Sequence, residues 1–283
     1  MLSSLSSGVS GMQQFQTQLA VIGNNISNST TIGFKSSRTD TGDSFTQTLA
    51  AAGGVSGNVQ VGSGSTTLGT TTQFDEGTIT ATGLKTDLAI TSANGFFIVK
   101  DTSSNRSYAT RAGDFATDSS GNFVTQGGLH VQGYSGSDLT TVGDIKIDGT
   151  GRPTTSAPDA TVVDWNIDSS GKINVRLSDE TSFVRAQVLL QRFDNPQALL
   201  KEGSNLYSGI NAAGPLGGSA SPTPQPPGTN GLGSLQTGKL ETSNVDLASE
   251  FAGLITAQRG FQASARLITT SDEILQETVN LKH

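Results

Sequence analysis

The sequence contains no cysteine among its 283 residues, which excludes disulfide bonds and thiolate metal ligands. Its two histidines, His130 and His283, do not lie near a nucleophile motif that could complete a catalytic triad. Residues 62–64 lack the Lys-Ser/Thr pair that a phosphate-binding loop requires. The sequence therefore predicts that the protein is not an enzyme and that it has no catalytic, cofactor-binding or metal-binding residues.

Charged and aromatic residues are also scarce, at 14% and 6%, while glycine occurs 35 times. This composition favours an elongated, β-rich protein with a thin core over a compact enzyme. The net charge of −7 argues against a nucleic-acid partner, because such partners favour a basic patch. No apolar run approaches the roughly 18 residues that span a bilayer, so we do not expect membrane insertion.

The C-terminal residues 240–281 carry apolar side chains at alternating steps of four and three, as in a heptad repeat. The segment has no proline, and Ser243 or Asn244 can cap its start. A helix of this size reaches roughly 50 Å and cannot bury its own stripe, so we expect a partner. The predicted seam consists of Leu247, Phe251, Leu254, Gln258, Phe261, Ala265, Ile268, Asp272, Leu275 and Val279.

Residues 1–34 contain no charged side chain and predict a second helix, from about Ser3 to Ser27. Its opposite face is rich in uncharged hydrogen-bonding side chains, which suggests contact with protein on several sides. Because the two stripes match in period, we expect the terminal helices to pair with each other. The N-terminal stripe consists of Leu2, Leu5, Val9, Met12, Leu19 and Ile26, widened by Phe15 and Ile22.

Two terminal motifs resemble a known family. Residues 23–38, GNNISNSTTIGFKSSR, are similar to the N-terminal motif of the bacterial flagellar axial proteins, which are the rod and hook subunits. Residues 240–283, beginning LETSNVDLASEF, resemble the matching C-terminal motif, most closely that of the hook protein. The motif residues are Gly23, Asn24, Asn25, Asn28, Gly33, Phe34, Lys35, Asn244, Gln258 and Arg259.

The resemblance implies an α+β fold in which long, paired, coiled-coil-like terminal helices accompany a central all-β module. We expect an elongated subunit of a helical tubular assembly. The predicted domains are a terminal helical inner-tube domain (1–35 plus 238–283), an extended inter-subunit connector (36–72), a β-rich outer domain (73–208) and a Pro/Gly-rich return loop without packed elements (209–237).

The β-rich part shows short apolar runs between turn signals. Strands are predicted at Phe96–Lys100 and at 185–193, among others. The DSSG sequences at Asp118 and Asp168 resemble calcium loops only loosely, and hairpin turns explain them. The predicted core consists of Leu88, Ile90, Phe96, Ile98, Phe115 and Phe123.

By resemblance, the protein is expected to be a subunit of the flagellar hook, a flexible tube that couples rod to filament and transmits torque. The expected partners are further copies of this chain, rod proteins, hook–filament junction proteins, the hook cap and the flagellar type III export apparatus. The expected location is the hook and basal body, outside the cell after export. The candidate assembly residues are Leu5, Val9, Met12, Leu19, Ile26, Leu247, Phe251, Leu254, Phe261, Ile268, Leu275 and Val279.

Two alternatives stay open. The short middle part favours a distal rod subunit, a rigid driveshaft component, and residues 36–70 would decide whether the tube bends or stays stiff. The second alternative belongs to a different functional class. In it the protein is a secreted β-rich adhesin, a stable monomer whose function lies in residues 73–208. Deleting either terminal helix would leave binding intact in that case.

Overall fold

The computed structural model describes residues 2–50, 59–157, 159–215 and 223–281. His283, residues 51–58 of the predicted connector and residues 216–222 of the predicted return loop lie outside this part. There are two long helices, α1 (Leu2–Ser27), which precedes the strands in sequence, and α2 (Leu247–Asn280), which follows them. A short 3-10 helix covers Pro196–Ala198.

The first strands are β1 (Ser37–Asp43), β2 (Thr46–Ala50), β3 (Val59–Gly62), β4 (Ser65–Thr72), β5 (Ile79–Ala81), β6 (Leu88–Ile90), β7 (Phe96–Lys100), β8 (Ser107–Thr110), β9 (Phe115–Thr117) and β10 (Phe123–Thr125). They continue with β11 (His130–Tyr134), β12 (Val142–Asp144), β13 (Val162–Ile167), β14 (Lys172–Leu177), β15 (Ser182–Val188), β16 (Leu190–Gln191), β17 (Leu200–Gly203), β18 (Leu206–Ser208), β19 (Leu235–Thr237) and β20 (Lys239–Glu241).

The helix boundaries follow from capping chemistry. The Asp246 side chain accepts a hydrogen bond from the Ala248 amide at 3.0 Å and is the N-cap of α2. The expectation that Ser243 or Asn244 caps this helix is therefore wrong, because the helix begins only at Leu247 and the Asn244 side chain donates instead to the Asp75 carbonyl at 3.3 Å. At the end of α1, the side-chain amide of Asn28 donates to the Asn24 carbonyl at 2.9 Å. This bond satisfies a backbone carbonyl in the last turn of the helix.

The first compact unit combines α1, β1–β4 and α2. Strand β1 pairs antiparallel with β4, from Ser37 opposite Thr72 to Asp43 opposite Ser65, with a register shift after Asp40. Strands β2 and β3 pair antiparallel as well. The structure thus places the predicted connector in the same unit as both helices.

The second compact unit covers residues 30–35 and 74–244. Its main sheet runs β13-β14-β15-β11-β7-β8-β18-β17, with β9, β10, β12 and β16 attached to this path. The larger of its two hydrophobic clusters centres on Leu88, Phe97, Phe115, Val131 and Val188. The smaller one is built around Phe96, Phe193 and Tyr207. All six predicted core residues are buried, which confirms that expectation.

Two details differ from the expectations for this unit. The predicted strand 185–193 is two strands, β15 and β16, which pair with different neighbours. The return loop does contain packed elements, since β19 pairs with β6 and Leu232 and Leu235 are only 1% and 2% exposed. The glycines of this loop, such as Gly231 at φ 77°, let the chain turn while the intervening leucines reach the core.

Candidate assembly surface and buried ionic cluster

The two terminal helices pack against each other antiparallel. Gly8 of α1 faces Ile268, Ile22 lies beside Gly253, and Asn25 bonds to Glu250. The partner number falls as the number along α1 rises, so the start of α1 lies beside the end of α2. The predicted pairing of the terminal helices is therefore present in the structure.

Small residues form the closest part of this contact. Ala257, Ser264 and Ser271 are the buried residues of α2. A Cβ atom on Gly260 would overlap the ring of Phe15, and one on Gly11 would lie 3.0 Å from the Ser264 hydroxyl. The absence of bulk at these positions lets the two backbones approach closely.

The predicted seam of α2 lies beside this contact rather than at its centre. The small residues Ala257, Gly260, Ser264 and Ser271 each precede a predicted seam residue by one position. The structure leaves Leu254, Phe261, Ala265, Ile268 and Leu275 half-buried and Gln258 and Asp272 exposed. Leu247, Phe251 and Val279 are 42%, 50% and 61% exposed. On α1, Leu5, Met12, Leu19 and Ile26 are half-buried and Val9 is exposed.

A single amide side chain connects three elements of the first unit. Asn25 is 2% exposed and donates to the Ser37 carbonyl and to Glu250 Oε1, both at 2.8 Å. Its carbonyl oxygen accepts from the Ser37 amide at 3.0 Å. Because this α1 side chain bonds to both β1 and α2, the motif residue fixes the register of the helix pair.

The second unit contains a buried ionic cluster of Lys35, Arg111 and Glu241, whose side chains are 0%, 0% and 1% exposed. Lys35 Nζ lies 2.7 Å from Glu241 Oε1, and Arg111 Nε and Nη2 donate to the same carboxylate at 3.1 Å. The Gly77 amide donates a further hydrogen bond at 2.9 Å. One carboxylate is thus shared by two cations and a backbone donor.

Backbone oxygens supply further acceptors for the two cations. Lys35 Nζ donates to the Asp75 carbonyl at 2.5 Å, and Arg111 Nη1 donates to the carbonyls of Ser92 and Gly95. These hydrogen bonds help to offset the cost of burying three charges.

The cluster shifts the ionisation of its members. Burial lowers the pKa of Lys35 and the Arg111 charge lowers it further, while Glu241 opposes both effects. Burial acts to raise the pKa of Glu241, but Arg111 and Lys35 outweigh it and hold that pKa below its ordinary value. Glu241 is therefore ionised at neutral pH.

The residues before Lys35 are held by the same part of the unit. Gly33, at φ 68°, lies against the Arg111–Ala112 backbone, where any side chain would clash, and its amide donates to the Glu241 carbonyl at 2.8 Å. Lys201 Nζ lies 4.6 Å from the centre of the Phe34 ring and donates to the Lys35 carbonyl at 2.7 Å.

The motif residues predicted from the sequence therefore fall into separate groups. Gly33, Phe34, Lys35 and Asn244 come together, since the Asn244 amide donates to the Phe34 carbonyl at 3.4 Å. Asn25 has its own role in the helix pair. The remaining ones lie on helix surfaces or at the end of α1, and are Gly23, Asn24, Asn28, Gln258 and Arg259.

Sequence reasoning missed Arg111 and Glu241. The available signal for Arg111 was its position at the end of a predicted strand, where a buried charge needs a partner of opposite sign. Glu241 gave no such signal, because residues 240–281 were predicted to be helical and the structure places Glu241 in β20 instead.

Metal and membrane-spanning sites receive no support from the part of the chain that the structure describes. No group of His, Asp and Glu residues there could hold a metal ion. The helices among those residues lack the length and apolarity for a membrane span. Asp118 accepts from the amides of Ser120 and Asn122 at 2.8 Å, as a hairpin-turn residue does, which confirms the turn interpretation.

Three family descriptions match the chain. "Flagella basal body rod protein" matches residues 5–35, and "Flagellar hook protein FlgE/F/G D1 domain" matches residues 89–175. "Flagellar basal body rod FlgEFG protein C-terminal" matches residues 236–281.

Relatives match over different shares of their length. The flagellar basal-body rod protein FlgG of Bacillus subtilis (strain 168) is 43% identical over 289 residues, and the alignment covers 100% of this chain and 100% of the relative. That of Caulobacter vibrioides is 33% identical, covering 99% of this chain and 100% of the relative. The flagellar hook protein FlgE of Helicobacter mustelae is 43% identical over 165 residues, which are 56% of this chain and 36% of the hook protein.

Proposed function

The chain belongs to the family of bacterial flagellar hook and rod proteins, and we propose that it is a subunit of the distal rod. The predicted family is confirmed, and its members are structural proteins of the bacterial flagellum that assemble into polymers in the basal body. The expectation that the protein is not an enzyme is confirmed with it.

The observation that carries the rod proposal is end-to-end similarity. The FlgG rod protein of Bacillus subtilis aligns over its whole length, whereas the hook protein match leaves 64% of the hook protein without a counterpart, from 100% minus the 36% covered. The comparisons thus favour the rod alternative over the hook expectation. The compact second unit supports the rod as well, because residues 74–244 form one continuous β-rich body.

We propose that the helix pair forms the inner, coiled-coil-like contacts of a tubular polymer. Because the residues packed between α1 and α2 are small, the contact buries little apolar surface, and large side chains remain exposed on the outside of the helix pair. Leu247, Phe251 and Val279 are at least 42% exposed and would be covered by neighbouring copies. The candidate assembly residues predicted from the sequence keep this role as part of the proposal.

The strand segment β1–β4 would supply further contacts between copies. Phe45 and Leu68 are 89% and 72% exposed on it, and exposed side chains of this size are typical of interaction surfaces. In this proposal, contacts of residues 36–70 set the stiffness of the tube. Rod proteins, hook-junction proteins and the type III export apparatus are the further partners proposed from the family.

Electron microscopy of basal bodies from cells with an in-frame deletion of the gene tests the function. A rod subunit predicts truncated rods without hooks, and restoring the gene should restore full length. Complete rods that lack a hook would instead support the hook function. Intact flagella would count against both.

A further inference from the structure

The second unit contains an open cavity of about 650 Å³, separate from both the helix contact and the ionic cluster. Its volume falls within the range of small-molecule sites, which is roughly 300–1,000 Å³. Residues from four segments line it, and these segments are 31–32, 110–114, 125–129 and 204–206. All four belong to the second unit, so the cavity lies wholly within it.

Hydrogen bonds hold the walls of this cavity in place. The Asn205 side-chain amide donates to the Ile32 carbonyl at 2.6 Å, and the Thr110 hydroxyl donates to the Asn205 carbonyl at 2.9 Å. On another wall, the Thr125 hydroxyl accepts from the Leu129 amide at 3.1 Å and closes a turn. Because the walls are fixed in this way, binding of a ligand requires little further ordering of the chain.

The lining includes one carboxylate and no cationic side chain. Thr110, Ala112 and Asp114 line the cavity from every second position, as side chains on one face of an extended segment do. Asp114 is half-buried and takes part in none of the ion pairs among the described residues. Burial raises its pKa above the ordinary value, and the Asp87 carboxylate raises that pKa further. The ionised form of Asp114 therefore lacks a positive charge that would stabilise it.

The cations of the adjoining segments are bonded elsewhere. The side chains of Lys35 and Arg111 share the Glu241 carboxylate. Lys201 Nζ donates to the Lys35 carbonyl at 2.7 Å. None of them can neutralise Asp114 without giving up these bonds, so a ligand has to bring its own positive charge.

Apolar side chains supply the other part of the binding surface. Ile32, Leu129 and Leu206 line the cavity, and each is half-buried. The apolar body of a ligand would remove more of their surface from water, which favours binding. An inorganic cation would not gain from these side chains, because it needs several oxygen ligands instead.

We propose that this cavity binds a small organic amine, with its ammonium group on the Asp114 carboxylate and its apolar body against the isoleucine and leucine side chains. The proposal is independent of the rod function, because it concerns the second unit of a single copy. Deletion phenotypes of the gene therefore do not bear on it.

A matched pair of ligands tests the charge requirement on the purified full chain. Phenethylamine has the proposed chemistry, and phenethyl alcohol keeps the same apolar body without the charge. Ligand-observed NMR titration at neutral pH should give a dissociation constant of about 1 mM for the amine, which is typical of a ligand of this size. The alcohol should bind at least about tenfold more weakly, because hydrogen bonds to charged groups are the stronger ones. Equal binding of the two ligands would overturn the proposal, and so would no binding of the amine up to about 10 mM.

Variants of the chain locate the charge. Asp114→Asn keeps the shape of the side chain and should weaken binding of the amine at least about tenfold. The matched control is Asp138→Asn, because Asp138 is exposed in the same unit and does not line the cavity. Unchanged amine binding in Asp114→Asn, or an equal loss in the control, would overturn the site. The ligand pair on the unmodified chain decides the charge requirement even if Asp114→Asn does not fold.

Discussion

The two units of this molecule reach their packing by opposite means. The first brings two helices together through glycine, alanine and serine, with one amide side chain as a polar link near one end of the pair. The second fills its interior with rings, such as Phe97, Phe115 and Phe123 in successive contact at 5.0 Å, and buries three charges. Close backbone approach leaves large side chains outside, whereas ring packing removes them from the surface. The first unit is thus suited to further association and the second to independent stability.

The largest effect should come from the ionic cluster. Glu241→Gln leaves Lys35 and Arg111 buried without an anion, and we expect the second unit to lose about 3–5 kcal/mol of its free energy of unfolding. Urea unfolding followed by fluorescence of Trp165, the only tryptophan, reports on this unit. The exposed Glu202→Gln is the matched control and should change little. A loss below about 1 kcal/mol would show that the cluster is not the main polar support.

The same cluster predicts a pH dependence. Because the pKa of Glu241 is lowered from 4.5, its contribution is complete at neutral pH and is lost as pH falls through the folded-state pKa. The difference in unfolding free energy between the unmodified chain and Glu241→Gln should therefore shrink in acid. A difference that stays constant from neutral to strongly acidic pH would contradict this origin.

A smaller effect is expected where the helices meet. Gly260→Val forces a side chain into the Phe15 ring and should destabilise the helix pair by about 1–3 kcal/mol. Gly23→Ala is the matched control, since a Cβ atom there meets nothing within 4 Å and a helix gains up to about 1 kcal/mol from alanine. Thermal unfolding followed by far-UV circular dichroism should move in opposite directions for the two variants. Equal shifts would mean that close approach is not what the glycine provides.

The smallest effect concerns the cap of α2. Asp246→Ala removes the acceptor for the Ala248 amide and should cost about 1 kcal/mol, while Asp246→Asn should retain most of the stability. Helical circular dichroism should detect the change, and Trp165 fluorescence should not. A matching change in both signals would indicate that the two units unfold together.

The sequence predicted the helices and the central core well, because apolar spacing reports directly on burial in regular elements. The predicted helix contact is displaced by one residue, since the heptad pattern selects Gln258 and Phe261 while the backbones meet at Ala257 and Gly260. The sequence could not pair Lys35 with Glu241, which are 206 residues apart in sequence. Nor could it place Leu232 in the core, because a Pro/Gly-rich segment gives no periodic signal.

The link between Asn25 and Glu250 joins positions 225 residues apart, whereas residues 74–244 of the second unit are continuous in sequence. Contacts of such long separation form late, because a long loop must close before they contribute. The helix pair therefore cannot be completed until the last part of the chain is present, while the β-rich unit can already be structured. The association surface on the helix pair is therefore incomplete until the residues of α2 are present.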